Sequence, residues 1–426
     1  MKRYLTGIDW VINSLDYIGK TQSGVGNISQ VVLELRGSLE EKILLEALEE
    51  FLRKFPLLNG LSSRAINLCP YWKIFPQKKT RPHRINVTRL DDGADPFMLF
   101  ELQLNEPFKD KREHLVFNFV QAGQRSFLGM VFDHRILDAR GAEALLDLFQ
   151  TYYRKEPFPQ IAFKESSHLD RWKEKFKAGR QVNRAFLDFT RNTPRTFLTL
   201  LHTRKCKFKA VHFDAVQSAR FTDNAYAQAG YLMLMPYALA KSVEIMHRVF
   251  EARNIPGKTY LIPVSIDARP PEAVHRQLFF NHVSFFFFKI EADIVARFPL
   301  LLASIKEQMY EQVKSGLPEA LKNASYLLRI APLPLTNFFL QCMSKKKVAS
   351  FSFSFVGTAY SSQKFMEMDV ENIVHLPRVP NPPGVGIFFN RFNGRMNAAF
   401  SYFDGLLSDN EARQITAGLD ALGNNG

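Results

Sequence analysis

The sequence predicts a mixed α/β protein, layered as α+β, with two lobes that each hold a mixed β-sheet flanked by helices. Three observations predict it. Apolar runs of strand length are interleaved with stretches of helical period along the whole chain, rather than segregated into blocks. At 426 residues the chain is long enough for two cores of ordinary size. The second half repeats the strand and helix vocabulary of the first, without any short-period repeat.

The elements follow in order. Residues 28–35 read as a strand, and Arg36-Gly37 turns the chain into Ser38-Leu-Glu-Glu41, the pattern of a capping box. The helix that follows carries Ile43, Leu44, Ala47, Leu48, Phe51 and Leu52 on one side and stops near Pro56. Short strands are expected at 58–62 and 71–75. Residues 114–120 and 126–132 form a hairpin around Gln121-Ala-Gly-Gln124, which delivers a turn and then a helix that fades near Lys155. Residues 164–205 are a basic crossover with helical pieces, between an N-terminal lobe (1–163) and a C-terminal lobe (206–426).

In the second lobe, strands are expected at 208–213, 259–266, 281–290 and 351–355, and helices at 215–228, 231–253 and 299–314. The strand at 281–290 holds four consecutive phenylalanines, too continuous a run for a half-exposed face. Residues 385–391 and 395–403 pair across Asn393-Gly394, a type I′ signal. Ser408-Asp-Asn-Glu411 is a second capping box, opening a final helix.

Composition narrows the function classes. The net charge of +14 suits polyanionic partners, whether nucleic acid, anionic lipid or a phosphate-bearing small molecule. No module with basic residues interleaved with aromatics along one face is recognisable, which argues against nucleic acid. Cys69, Cys206 and Cys342 are far apart, so neither a disulfide framework nor a zinc site is expected, and a reducing cytoplasm is the simplest setting. No apolar run reaches membrane-spanning length; contact with a membrane surface stays open. The 39 phenylalanines suit large cores or an apolar tunnel.

The chain is organised around residues 127–149. An apolar strand ends at Asp133, His134 sits on the turn, and Asp138 precedes a helix with Ala142, Leu145, Leu146 and Phe149 on one face. Taken alone the pattern admits a plain reading, with Asp138 capping the helix and His134 merely a turn residue. Among the ten histidines only His134 has an aspartate four positions on.

The context sharpens it. The turn His134-Arg-Ile-Leu-Asp138 resembles the His-x-x-x-Asp centre of the chloramphenicol-acetyltransferase-like acyltransferases, a superfamily that includes peptide-synthetase condensation domains, wax ester synthases, alcohol acetyltransferases and plant coenzyme-A-dependent acyltransferases. Three more units resemble the family in the right order. These are Leu52-Arg-Lys-Phe-Pro-Leu-Leu58, then Leu261-Ile-Pro-Val-Ser-Ile-Asp-Ala-Arg-Pro270 with Phe280-Asn281, and finally Asn393-Gly-Arg-Met-Asn-Ala-Ala-Phe-Ser-Tyr402. Departures are Asp133 where many members have a first histidine, Ala139 where they have glycine, and no Asp-Phe-Gly-Trp-Gly motif. The missing motif points away from the plant branch. Asp133 would either raise the pKa of His134 or face solvent.

The resemblance implies an interfacial tunnel with the histidine midway. It implies an acyltransferase moving an acyl group from a thioester, acyl-CoA or a carrier-protein thioester, to a hydroxyl or amine. The histidine would act as general base, which imidazole can do near neutral pH because its unperturbed pKa is about 6.5. No covalent acyl-enzyme is needed, and no Gly-x-Ser-x-Gly elbow is found. The resemblance also implies that Asp138 turns away from the ring and pairs with an arginine of the second lobe, by position Arg269. Asn281, Ser354 and Thr358 are the candidate oxyanion donors. No bound cofactor, metal, nucleic-acid partner or oligomer is called for; acyl-CoA or an acyl-carrier protein enters as co-substrate. The alternative is a non-catalytic binding or scaffold member of the same two-lobed fold.

Overall fold

The computed structural model describes residues 1–38, 40–91, 93–157, 159–161, 171–190, 205–254, 258–344 and 349–424. In chain order these form β1 (Lys2–Tyr4), α1 (Gly7–Ser23), β2 (Ile28–Arg36), α2 (Glu41–Leu52), β3 (Leu61–Arg64), β4 (Pro70–Lys73), β5 (Arg84–Leu90), α3 (Pro96–Leu104), β6 (Leu115–Ala122), β7 (Arg125–Asp133), α4 (Ala139–Tyr153) and α5 (Trp172–Thr190). The second half adds β8 (Cys206–His212), α6 (Ala215–Ala229), α7 (Leu234–Ala252), β9 (Thr259–Asp267), β10 (Val283–Glu291), α8 (Phe298–Lys314), α9 (Leu317–Leu328), α10 (Leu333–Ser344), β11 (Ser352–Val356), β12 (Lys364–Phe365), β13 (Met368–Pro377), β14 (Val385–Phe392), β15 (Arg395–Phe403) and α11 (Asp409–Asn424).

Two six-stranded mixed sheets dominate. The first runs β12-β13-β2-β7-β6-β5 and the second β10-β9-β11-β14-β15-β8, with a small three-stranded sheet β1-β4-β3 beside them. Helices α2 and α4 cover the first sheet through Leu48, Phe51, Leu145 and Phe149, which pack with Leu33, Phe119 and Phe132. Helices α6, α7 and α11 cover the second through Phe221, Val243, Met246 and Ile415. A third, smaller cluster joins residues of the two sheets, with Val32, Val131 and Val374 against Phe208 and Ala399. These are the layers expected when each sheet buries one face under helices.

Several local features follow from the residues. Asn393 and Gly394 both have positive φ (47° and 77°), as the type I′ turn between β14 and β15 requires. The four phenylalanines lie on β10, an edge strand whose outer main chain is capped by two glutamines one helical turn apart. Gln312 of α8 bonds the N–H and C=O of Phe287 at 2.9 and 2.8 Å, and Gln308 does the same for Lys289 at 2.8 and 2.9 Å. The edge is therefore covered, with Phe286, Phe287 and Phe288 buried and Phe285 half-buried.

The structure departs from the sequence reading in four places. Ser38 does not cap α2: the cap position is Glu40, without a side-chain bond, so that capping box is not formed. Helix α1, strand β5 and helix α3 were not anticipated. The final helix runs 16 residues against the roughly ten expected, and its Ser408–Glu411 box is formed, with Ser408 N–H donating to Glu411 at 2.7 Å. Finally, the sheets do not follow the linear order of the halves: β12 and β13, from the second half, complete the first sheet by pairing β13 with β2. Of the basic crossover, α5 is described, whereas 164–170 and 191–204 lie outside the described residues.

Candidate active site

Strand β7 ends at Asp133 and α4 begins at Ala139, so His134 and Asp138 lie on the connecting turn. Two buried apolar residues, Ile136 and Leu137, root the turn in the first core. Segment 279–282 of the second half lies against it. Phe280 N–H donates to Ile136 O at 2.6 Å, and Leu137 forms isolated β-bridges with Phe279 and Phe280. Phe280 has φ of 69°, a left-handed conformation that costs a bulky side chain energy and persists only under such clamping.

Among the described residues, Asp138 accepts three hydrogen bonds. Its Oδ1 accepts from Gly141 N–H at 2.8 Å, the N-cap bond of α4, and from Arg269 Nη2 at 2.7 Å. Its Oδ2 accepts from His282 N–H at 3.2 Å. Burial works to raise its pKa, but Arg269, His282 and the Gly141 N–H together hold it below the ordinary carboxylate range. Arg269 is 6% exposed; it grips Asp267 through Nε and Nη2 and donates Nη1 to Gln277 O at 2.9 Å. Arg140 closes the network on Asp267 at 2.8 Å, so two carboxylates face two guanidiniums. Gly141 allows the close approach: a Cβ there would lie 2.1 Å from Leu278 O.

His134 is half-buried, with its main-chain N–H bonded to Asn27 O at 2.9 Å. Its Nδ1 lies 3.2 Å from Asn281 Oδ1, and Asn281 Nδ2 donates to His134 O at 2.7 Å. The second bond settles the orientation of the amide, since only its NH2 can donate to a carbonyl. Its oxygen then faces the ring, which places the ring hydrogen on Nδ1 and leaves Nε2 with its lone pair. Asn281 in turn is held by Asp9 at the start of α1, whose Oδ1 accepts Asn281 N–H at 3.1 Å.

The other candidates lie apart from this cluster. Ser354 on β11 accepts from Ser265 Oγ at 2.9 Å. Thr358 is exposed and donates to Arg391 O. Asp133 neither faces solvent nor approaches the His134 ring. It is 1% exposed, accepts from His114 at 2.8 Å and from Arg135 Nη2 at 2.5 Å, and braces the turn from behind. Despite burial, Arg135 and His114 hold its carboxyl well below the ordinary range.

Asp9, Asp267, Arg140 and His114 were not singled out from the sequence. Thr6-Gly-Ile-Asp9 is a capping-box pattern, and both of its reciprocal bonds are present, so a helix start there was legible. Its tie to a segment 272 residues away was not. Among the described residues, no group of three His, Cys, Asp or Glu side chains could hold a metal ion, and no helix is long and apolar enough to cross a membrane. Neither of the two described clefts, one beside Glu41, Lys42 and Arg89 and one beside Arg53, Arg81 and His83, has His134 in its lining.

No protein-family model matches the chain, and no curated protein matches it in sequence. Solved structures match along its whole length. The first condensation domain of the CDA synthetase superposes with a TM-score of 0.70 at 11% identity, covering 100% of this chain and 97% of that one. The TRI3 trichothecene 15-O-acetyltransferase of Fusarium sporotrichioides gives 0.71 at 12% identity, over 99% and 94%. The condensation domain of the monacolin K polyketide synthase gives 0.64 at 10% identity, over 100% and 98%. The chain thus has the two-lobed fold of condensation domains and an O-acetyltransferase, the chloramphenicol-acetyltransferase-like fold that the sequence resembles.

Proposed function

We propose that the chain is an acyltransferase that moves an acyl group from a thioester, on coenzyme A or a carrier protein, to a hydroxyl or amine, with His134 as general base. The observation that carries this reading is the placement of the imidazole: its Nδ1 faces Asn281 Oδ1 at 3.2 Å on a turn held by Asp138 and Arg269, so that in the neutral ring Nε2 is the nitrogen that can accept a proton. Nε2 takes the acceptor's proton as its oxygen or nitrogen attacks the thioester carbonyl. The tetrahedral oxyanion collapses, the C–S bond breaks, and the thiolate leaves with the proton the imidazolium returns. Acyl group and proton each pass once, and no acyl-enzyme forms.

Asp138 and Arg269 serve as positioning residues. Of the oxyanion candidates Ser354 is the most available, because the only partner of its hydroxyl among the described residues is another hydroxyl and it can turn without stranding a main-chain group. Asn281 is committed to the ring and Thr358 to a carbonyl. Substrates would reach Nε2 along a passage between lobes 1–163 and 206–426, with 164–205 joining them and β12–β13 reaching back across.

A thiol-release assay tests the reading, using acyl-CoAs of graded length with pooled alcohols and amines. Wild type should release thiol and His134→Ala should not. Equal release by both removes His134 from the chemistry, and no release by either favours a binding protein.

A further inference from the structure

A guanidinium taken out of water needs partners for its N–H groups, and a buried charge without them is costly. Arg329, the residue that ends α9, is 2% exposed, yet its Nε and Nη1 are buried without any partner. No N–H of its guanidinium donates to a protein atom among the described residues. Burial, outweighing the pull of Cys69, Tyr326 and Asp9, pushes its pKa below the ordinary guanidinium value.

The neighbours cannot supply what is missing. The carboxylate that acts on Arg329 is Asp9, and both its oxygens are taken, Oδ1 by Asn281 N–H and Oδ2 by Arg3 Nη1 and Thr6 N–H. The Cys69 thiol makes no hydrogen bond to it, and the Tyr326 ring offers only its face, 5.2 Å from Cζ. Arg64 adds positive charge nearby, its own donors spent on the carbonyls of Leu68, Arg329, Ile330 and Ala331. Arg3, 3% exposed, likewise has an unpartnered Nε. Two guanidiniums, of Arg3 and Arg329, thus share one carboxylate that is already engaged, with Arg64 adding a third positive charge beside Arg329.

We propose that Arg329 is the anchor of a binding site for a compact oxyanion, a carboxylate or phosphate group. The planar fork of N–H donors suits either anion, and one such group would both pair the charge and satisfy the stranded donors. The next residue along the chain, Ile330, is 41% exposed, so the surface is one residue away. It also abuts the reaction centre: Asp9, beside Arg329, carries the main-chain N–H of Asn281, whose side chain holds His134. That the anion is the acidic end of a substrate rests on the transferase reading; the site itself does not.

The test titrates the purified full chain with sodium phosphate and, separately, with sodium acetate, at ionic strength held constant with sodium chloride. Thermal midpoint and calorimetric heat are followed. Wild type should show a saturable rise in Tm in at least one arm, and the responding arm separates phosphate from carboxylate. Arg329→Met should bind roughly tenfold or more weakly, and without anion should unfold no earlier than wild type, because the charge it removes had no partner. No rise in either arm, or the same rise in Arg329→Met, overturns the site. Should Arg329→Met not fold, Arg329→Gln takes its place, and the wild-type titration decides alone if neither folds. Repeating the titration in His134→Ala separates the two ideas. A rise that persists there supports the site whether or not wild type releases thiol, and loss of thiol release alone leaves it standing.

Discussion

The molecule contains the same local architecture twice. β6 and β7 form a hairpin that ends in a five-residue link to α4, and β14 and β15 form one that ends in a five-residue link to α11. Position by position, Ile136 and Leu137 match Leu406 and Leu407, all four buried, and Asp138 matches Ser408 as the cap of the helix. There the likeness ends. At the apex the first link has His134 and the second Asp404, which pairs with Lys207 at 2.8 Å. The second cap is satisfied locally, by Glu411 three residues on, whereas the first reaches across to Arg269. The apolar pair and the cap belong to the fold. On the proposed function, the ring and the distant ion pair serve the reaction.

Five experiments break or sharpen that contrast. The largest effect is expected at the apex. His134→Ala should lower thiol release by about 10²–10⁴-fold, the usual share of a general base, while Asp404→Ala leaves it unchanged. Next comes the distant pair. Arg269→Ala strands a buried carboxylate and should cost about 3–5 kcal/mol in chemical unfolding, with activity falling alongside. Unchanged activity and stability would detach the pair from the turn. Because the folded pKa of Asp138 lies below its unfolded value of about 3.9, its stabilisation is complete above that value and is lost as pH falls through the folded pKa. The stability gap between wild type and Asp138→Asn should therefore close in acid.

Gly141→Ala should cost about 1–3 kcal/mol, because its Cβ would meet Leu278 O. The matching position in the second link is Glu411, which carries a full side chain, and no such closeness exists there. The smallest effect is Ser408→Ala, about 1 kcal/mol in thermal unfolding and none in thiol release.

Much of this was legible from residue spacing. The hairpins, the Asn393-Gly394 turn and the helix after Asp138 follow from local periodicity and turn chemistry, which act over a few residues. The juxtaposition of His134, Asp138, Arg269 and Asn281 came from matching several units in order, because nothing local links residues 131 apart, the separation of Asp138 and Arg269. Asp9 escaped notice because a capping pattern specifies a helix start and not the distant amide that its second oxygen holds. Asp133 was misjudged for a related reason. Its partners His114 and Arg135 turn it into the interior, a choice set by packing of Trp72 and β6 around it rather than by its place beside the histidine. The cap expected at Ser38 failed because α2 begins later, with Glu40 at the boundary.

The return of β13 to the first sheet has a consequence for anyone dividing the gene. Strand β2 is flanked by β7 on one side and β13 on the other, so a polypeptide ending at residue 163 would bare the edge of an apolar strand along residues 29–36, with the amides and carbonyls of alternate residues left unpaired. Such a fragment should clump on expression, and recover when a peptide spanning 359–379 is supplied to zip onto the vacant side. The two halves are therefore expected to melt in one transition, as pieces of a single cooperative unit rather than beads on a string.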